Sequence, residues 1–281
     1  MEIGKYSIES LETGRFALDG GAMFGIIPKV LWERSNPADR ENRVALTARS
    51  MLLRSRNRNI LIDTGMGEKW DEKSYSIYDI NQNKDPVTST LKDKGLSPED
   101  ITDVILTHLH FDHTGGSTKY ENGKLVPTFP NAKYYVQKKN FDWATAPSDR
   151  DKGSYLQENF TPLMQEGILY FTEGNTFFDD EIELLPVNGH TFGQQLVKVS
   201  DTANTVLYCG DLIPFSSHVH LPYIMGYDLQ PLVTLEEKKK YLRQAVEENW
   251  ILFHEHDPFN SCSKVEASGK SYKIKERIKT L

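Results

Sequence analysis

The chain has 281 residues, with 40 acidic and 33 basic side chains and a net charge of −7 at pH 7. Because binding to a phosphate backbone needs a basic surface, this charge argues against nucleic acid as the main partner. A mean hydropathy of −0.53, the lack of a long apolar segment and the lack of a signal-peptide core argue against a membrane protein. We expect a cytoplasmic protein that folds as one domain over residues 1–281.

Apolar and alternating runs predict eight strands along the chain. They cover residues 7–11, 45–53, 60–62, 104–106, 134–136, 182–185, 196–199 and 206–208. One helix is predicted over 86–94, because Gly95 would end it. A second helix is predicted to begin at Thr234, where Glu237 would complete a capping box. Strands mixed with helices in this way are typical of an α/β domain.

The segment 14–43 is harder to place, because Gly20, Gly21 and Pro28 interrupt its apolar residues. We predict a long loop, and a loop of that length in a compact domain tends to be functional or to cover something. It would form a wall of a substrate pocket or the contact of a homodimer. The alternative is a simple cover over the open end of the domain.

The strongest chemical pattern is THLHFDH at residues 107–113, directly after a predicted strand. Three of the chain's eight histidines and one aspartate share six positions there. His108 and His110 would face one side of the turn, while Asp112 and His113 reach the other. One turn could thus serve two neighbouring metal ions. Four ligand-type side chains at a strand end disfavour the alternative of a histidine-rich surface turn.

The other histidines also follow apolar runs, as partners of this turn should. They are His190, His218, His220, His254 and His256. Asp211 follows the predicted strand 206–208, and a carboxylate has two oxygens with which to bridge two cations. His254 lies two residues before His256, and we leave it out of the ligand set.

The order of these motifs resembles that of the metallo-β-lactamase superfamily of hydrolases, and the resemblance spans most of the chain. It implies an α/β fold, the αβ/βα four-layer sandwich, with two divalent metal ions. Zn²⁺ suits the ligands best, and Mn²⁺, Fe²⁺ or Co²⁺ would be accepted. The resemblance implies His108, His110 and His190 as ligands of one metal, Asp112, His113 and His256 as ligands of the other, and Asp211 as the bridge.

Asp63, after the predicted strand 60–62, matches the superfamily's early aspartate, which supports a ligand imidazole from behind. The alternative is a turn-forming aspartate before Thr64 and Gly65.

Within the superfamily, Asp211 makes antibiotic hydrolysis less expected, because the common zinc β-lactamases have no bridging aspartate there. The stretches 18–25, 210–214 and 256–258 resemble the branch of N-acyl-homoserine lactone lactonases, related quorum-quenching lactonases and methyl parathion hydrolase. This resemblance implies attack of a metal-bridging hydroxide on a small-molecule lactone or ester. Asp112 and Asp211 are then the catalytic candidates, with Asp112 donating a proton to the leaving alkoxide.

The chain departs from the family pattern in two motifs. In the frequent GHTPGH motif Phe192 replaces the proline and Gln194 the second histidine, and Pro214 replaces a carbonyl-polarising tyrosine of some lactonases. Tyr223 is the substitute candidate, and a buried structural tyrosine is the alternative. Candidates for substrate contact are Phe24, Phe215, His218, His220 and Tyr223, each weighed against core packing or an exposed loop.

Three further functions stay open beside the lactonase. They are an organophosphate triesterase, a glyoxalase-type thioesterase and a non-catalytic, metal-stabilised binding protein.

Overall fold

The computed structural model describes residues 1–80 and 87–279. Its strands are β1 Glu2–Ile3, β2 Tyr6–Asp19, β3 Arg43–Arg54, β4 Asn59–Ile62, β5 Asp103–Ile105, β6 Thr118–Glu121, β7 Lys124–Pro127, β8 Lys133–Gln137, β9 Leu169–Thr172, β10 Thr176–Phe177, β11 Ile182–Val187, β12 Gln194–Ser200, β13 Thr205–Tyr208, β14 Ile251–Phe253, β15 Cys262–Ser268 and β16 Ser271–Ile278. Its α-helices are α1 Gly20–Phe24, α2 Lys29–Trp32, α3 Glu72–Tyr78, α4 Val87–Asp93, α5 Phe111–Thr114, α6 Lys138–Thr145, α7 Thr161–Gln165 and α8 Pro231–Glu247. All eight predicted strands are present, with ends shifted by a few residues or, for β2, more.

The strands form two seven-stranded sheets. The order in the first is β1-β2-β3-β4-β5-β8-β9, and the order in the second is β10-β11-β12-β13-β14-β15-β16. The small hairpin β6-β7 stands apart. Each large sheet is mixed, with parallel pairing from β4 through β9 in the first and between β13 and β14 in the second.

The period-two alternation of strand side chains builds the layers. Ile60 and Ile62 of β4 join a buried cluster together with Val206 and Tyr208 of β13, so this cluster lies between the two sheets. The intervening residue Leu61 instead packs with residues of α4 and α7 on the outer face of the first sheet. On the second sheet, side chains from β11 to β13 pack in the same outward manner against α8. The order helix, sheet, sheet, helix confirms the predicted four-layer sandwich.

The prediction that the segment 14–43 forms a long loop is wrong, because the segment contains the end of β2 and the helices α1 and α2. Strand β2 continues to Asp19, whose side chain caps α1 by accepting from the backbone N–H of Ala22 at 2.9 Å. The two glycines that suggested a break begin this helix, and Trp32 of α2 is buried against Phe24 with ring centroids 5.0 Å apart. The segment is therefore ordered by aromatic packing that no periodicity in the sequence signals.

The last long helix also differs from its prediction. It begins at Pro231, so Thr234 lies inside it and donates its hydroxyl hydrogen to Asp228 Oδ2 at 2.8 Å. Glu237 accepts the backbone N–H groups of Asn188 and Gly189 rather than closing a capping box. Both side chains therefore bond to residues outside the helix instead of capping its first turn. The helix predicted over 86–94 is present as α4 from Val87, and Pro86 lies outside the described residues. No helix among the described residues is long and apolar enough to cross a membrane.

Candidate metal centre

The chain places the ligand-type side chains at the carboxyl ends of five strands. Strands β4 and β5 run parallel and end before Asp63 and the 107–113 turn. In the second sheet β13 and β14 are parallel, and β11 has the same direction because two antiparallel steps separate it from β13. These strands lead into His190, Asp211 and His256. Carboxyl ends that share a direction and an edge bring residues from distant parts of the chain together.

The first group consists of His108, His110, His190 and Asp211, whose ligand atoms all lie within 4.8 Å of one another. His108 Nε2 is 3.0 Å and His190 Nε2 is 3.1 Å from the same atom, His110 Nδ1. Asp211 Oδ2 lies 3.1 Å from His190 Nε2. Three ring nitrogens and a carboxylate oxygen thus converge on one buried point.

The second group consists of Asp112, His113 and His256. His256 Nε2 lies 3.3 Å from His113 Nε2 and 3.6 Å from Asp112 Oδ2. Asp112 and His113 belong to the short helix α5, which begins directly after His110.

Asp211 stands between the two groups. Its Oδ2 faces His190 as above, while its Oδ1 lies 3.0 Å from His256 Nε2 and 3.5 Å from His113 Nε2. Each carboxylate oxygen therefore faces a different set of histidines, which is the arrangement that a bridging ligand needs.

The donor set fits divalent cations. A neutral imidazole has one donor and one acceptor nitrogen and a charged one has two donors, so these buried ring nitrogens 3.0–3.3 Å apart cannot all satisfy each other. Asp211 Oδ1 accepts no hydrogen bond from the described residues. Imidazole nitrogens with carboxylate oxygens are the ligands that zinc takes in proteins.

The charges around the site follow from burial and from these close contacts. Burial and the neighbouring imidazoles hold the pKa values of His108 and His110 well below their usual range. Burial also opposes charge on His190 and His256, but the Asp211 carboxylate raises the pKa of His190 to about 10 and that of His256 to about 9. Those histidines in turn hold the pKa of Asp211 well below its usual range, against the effect of burial. The protein therefore favours an ionised carboxylate at its centre.

A further layer of contacts orients the imidazoles through Nδ1. The contacts are His108 with Thr107 Oγ1 at 3.1 Å, His113 with Asp63 Oδ2 at 3.0 Å, His190 with Asp228 Oδ1 at 2.9 Å and His256 with the Thr47 carbonyl oxygen at 2.8 Å. These contacts leave Nε2 of each ring directed at the centre, whereas His110 presents Nδ1 there.

Asp63 has the geometry of a supporting residue. Its carboxylate accepts the backbone N–H of Thr107 at 2.7 Å and the Thr107 hydroxyl at 2.6 Å, besides contacting His113. Its φ of 54° is a left-handed conformation that non-glycine residues rarely adopt. Backbone strain of this kind collects at functional sites.

Sequence reasoning missed two supporting acids, Asp228 and Glu255. Asp228 follows no strand, so the sequence gives no hint of its role. That role is seen only from its contacts with the Thr234 hydroxyl and the His190 ring. Glu255 Oε2 lies 3.0 Å from His113 Nδ1, and burial raises the pKa of Glu255 to about 7. An acid between two histidines, as in His254-Glu255-His256, was the available hint for Glu255.

We expect Asp228→Asn to lower the affinity of the first group for metal by about 10- to 100-fold, the usual cost of losing a carboxylate behind a ligand imidazole. The amide oxygen can still accept from His190 Nδ1, but without the negative charge that strengthens the imidazole as a ligand. Titration against a chelating dye measures the affinity. Asp201→Asn makes the same charge change on an exposed turn and is the control. Equal affinities in the two variants would contradict the supporting role of Asp228.

The site opens into a cleft of about 430 Å³. It is lined by Leu18, Ala22, Met23, Leu46, Tyr78, His110, Phe111, Asp112, Arg150, Asp151, Gly153, Ser154, His190, Asp211, Met225, Gly226, Tyr227, Leu229 and His256. Leu18, Ala22 and Met23 come from the segment 14–43, which supports the interpretation of that segment as a pocket wall.

The predicted substrate contacts need correction, because none of the five lines this cleft. Phe24, Phe215 and His218 are buried in an aromatic cluster, with centroids 6.1 Å apart for the two phenylalanines and 4.9 Å for Phe24 and His218. His218 Nε2 is 2.9 Å from the Met23 carbonyl oxygen. Their aromatic rings suggested a pocket wall, but they pack in the core instead.

His220 and Tyr223 line a different cavity. The buried Lys238 of α8 donates to the carbonyl oxygens of His220 at 2.9 Å and Tyr223 at 2.7 Å, which fixes this segment against the helix. Tyr223 is therefore not placed to polarise a carbonyl group in the cleft. Tyr78 and Tyr227 line the cleft in its stead.

Gln194 has a structural role at the position where the family motif has a histidine. In the amide orientation that satisfies both of its polar atoms, its oxygen accepts the backbone N–H of Asp211 at 2.9 Å and that of Leu212 at 3.3 Å. Gln194 thus holds the backbone of Asp211, although it replaces the histidine of the motif. His254 lies outside both groups and contacts Ile213 and Ser263, as its exclusion from the ligand set predicted.

The sandwich, with buried histidine and carboxylate side chains clustered at one edge of its sheets, has the architecture of a metal-dependent hydrolase. The chain belongs to the metallo-beta-lactamase superfamily, whose family model matches residues 44–256.

Similar proteins are found among curated sequences and solved structures. An N-acyl homoserine lactonase of Bacillus cereus is 25% identical over 226 residues, which cover 73% of this chain and 79% of that protein. The crystal structure of a probable metal-dependent hydrolase from Staphylococcus aureus has a TM-score of 0.90 at 27% identity, covering 99% of this chain and 98% of that one. AidC, a dizinc quorum-quenching lactonase, has a TM-score of 0.81 at 20% identity, covering 98% and 95% of the two chains, and this likeness shows the fold.

Proposed function

We propose that the chain is a dinuclear metallohydrolase that opens a lactone or ester. The observation that carries the proposal is Asp211, whose two oxygens face His190 and His256 at 3.1 and 3.0 Å. His108, His110 and His190 would hold one cation, Asp112, His113 and His256 the other, and Asp211 would bridge them. Zn²⁺ is the expected metal, and Mn²⁺, Fe²⁺ or Co²⁺ would fit the same donors.

Two cations held there would lower the pKa of water and polarise the substrate's carbonyl oxygen. The chain's own residues set the rest of the chemistry. Asp63 and Asp228 hold His113 and His190 by Nδ1, so that the rings cannot turn away. Asp112, at the floor of the cleft, would carry a proton on a carboxylate oxygen to the departing alkoxide.

The choice of a lactone rests on two supports. Curated relatives at 25% and 28% identity are named N-acyl homoserine lactonases, and another at 28% identity is named a probable metallo-hydrolase. The cleft also offers an apolar wall beside the acidic floor, and such a wall suits the acyl chain of a lactone or ester. The wall includes Leu18, Met23, Leu46, Phe111, Met225 and Leu229.

A substrate panel on metal-loaded protein tests the proposal. We expect turnover of an N-acyl-homoserine lactone to exceed that of a β-lactam, a phosphotriester and a thioester by more than about tenfold in kcat/KM. The Asp211→Ala protein, prepared in parallel, controls for contaminating hydrolases. Equal or faster β-lactam turnover would overturn the lactonase assignment. Activity confined to the phosphotriester or to the thioester would replace it by a triesterase or a glyoxalase-type thioesterase.

A further inference from the structure

We propose that the substrate carries a carboxylate remote from the bond that is hydrolysed, and that Arg150 recognises this carboxylate. The inference rests on the proposed function, because it names the kind of lactone or ester that the same cleft would accept. No motif in the sequence singles out Arg150.

Arg150 brings a positive charge to the cleft, and no carboxylate of the described residues forms an ion pair with it. Among the described residues that line the cleft, it is the one lysine or arginine. The carboxylates on either side of it are engaged elsewhere. Asp149 pairs with Lys152 at 2.8 Å, and Asp151 accepts from Trp143 Nε1 at 2.7 Å and from Ser148 Oγ at 2.6 Å.

The guanidinium, which belongs to an exposed side chain, is anchored at one point. Its Nη2 donates to the carbonyl oxygen of Gly226, which joins the segment 150–154 to the segment 225–229 on the other wall. A guanidinium has five N–H groups in a rigid fork, so this single bond leaves donors for a ligand. An arginine fixed in this way loses less conformational freedom when it binds a carboxylate through two parallel hydrogen bonds.

A neutral hydrogen-bond donor lines the same cleft as Arg150. Tyr227 lines the cleft next to Gly226, and burial together with nearby acidic groups, among them Asp112, raises its pKa above the usual range. Its phenol therefore stays protonated and can donate a hydrogen bond. The acidic side chains of the cleft lie at the metal groups or are already bonded, so an anionic tail would meet donors rather than acceptors at Arg150.

The negative net charge of the chain makes the position of Arg150 in the cleft more informative. A net charge of −7 disfavours anions at long range, and screening confines each charge to about 10 Å at ordinary ionic strength. Arg150 is thus the one cationic side chain in the described lining of the cleft with which an anionic end of a substrate could pair.

Matched lactones test the proposal. N-acyl-homoserine lactones with acyl chains of six to ten carbons would be compared with analogues whose terminal methyl group is replaced by a carboxylate. In the wild type we expect the carboxylated lactone to be preferred at one or more chain lengths, and Arg150→Met to reduce that preference about three- to tenfold, mainly through KM. Arg150→Lys should retain part of the preference, because it keeps the charge but loses the fork.

Arg243→Met is the matched control, because it makes the same substitution at an exposed arginine of α8 that does not line the cleft. It should leave the preference between the two lactones as in the wild type. An equal loss in Arg243→Met and Arg150→Met would reduce the effect to general electrostatics and overturn the proposal.

A binding measurement separates this proposal from the lactonase assignment. Calorimetry on metal-loaded protein would compare linear dicarboxylates, from adipate to sebacate, with monocarboxylates of the same length. A dicarboxylate can bind by either of its two identical ends, which by itself gives it a statistical advantage in affinity. We expect it to bind more tightly than this advantage explains, and Arg150→Met to abolish the excess. If that holds while no lactone is opened, the lactonase assignment fails and the Arg150 site stands. If Arg150→Met changes neither the dicarboxylate preference nor the lactone preference, the Arg150 proposal is wrong.

Discussion

Replacing Asp211 by alanine is expected to remove metal from both positions and to reduce turnover by on the order of 10⁴-fold, as when a group on which the whole reacting centre depends is lost. The wild-type protein should carry about two ions per chain, because seven ligands with one shared carboxylate complete two coordination spheres once water is added. Elemental analysis of the two purified proteins, before and after reconstitution with Zn²⁺, measures their metal content, and rates of lactone hydrolysis measure the turnover.

The geometry explains why this one side chain should affect two positions. Oδ2 of Asp211 belongs to the group of His190, and Oδ1 faces His256 in the other group. Without the carboxylate, the histidines of both groups would hold their cations with no negative charge between them. His190→Ala removes a ligand from the first group only, so it should mainly weaken one ion.

His254→Asn provides the matched control. His254 is a buried histidine two residues from His256, but its ring contacts the Ile213 carbonyl oxygen and Ser263 Oγ rather than either metal group. The variant should keep about two ions per chain, even where its stability falls. Two ions retained in Asp211→Ala would refute the bridging role, and a wild-type protein that takes up one ion or none on reconstitution would refute the dinuclear centre.

The residues expected to bind metal could be predicted from the sequence because each follows an apolar strand by a few positions. The 107–113 turn follows β5, Asp211 follows β13 and His256 follows β14, so local patterns sufficed to place them at strand ends. The prediction that they hold two metals goes further than the geometry and awaits the elemental analysis. The single-domain expectation for residues 1–281 likewise remains a prediction.

The supporting acids and the cleft wall could not be predicted, for a physical reason. Asp228 reaches His190 only because α8 carries Thr234 to its other oxygen, and Arg150 reaches the cleft through the Gly226 carbonyl oxygen. Such contacts join segments far apart in sequence and leave no periodic pattern. Aromatic residues mislead in the same way, since Phe24 could line a pocket or fill a core and tertiary packing alone decides between them.

Asp112→Asn is expected to reduce turnover of an alkyl lactone by about 10²- to 10⁴-fold, the usual contribution of a positioned general acid. The amide oxygen of the variant can still approach a cation beside His113 and His256, although more weakly, so metal occupancy should fall far less than the rate. What the amide cannot do is carry a proton to the departing alkoxide.

The dependence on the leaving group distinguishes proton donation from metal binding by Asp112. A substrate whose alcohol is acidic needs little proton donation, so its rate should fall much less than that of an alkyl lactone, whose oxygen leaves as a strongly basic alkoxide. Rates on the two substrates are compared at measured metal content, since a variant that empties the second position would imitate the loss. Asp151→Asn, which alters a carboxylate of the same cleft already bonded to Trp143 and Ser148, should affect both substrates alike. If Asp112→Asn keeps both metals and slows the two substrates equally, Asp112 serves only as a ligand, and the proton comes from water or from another residue.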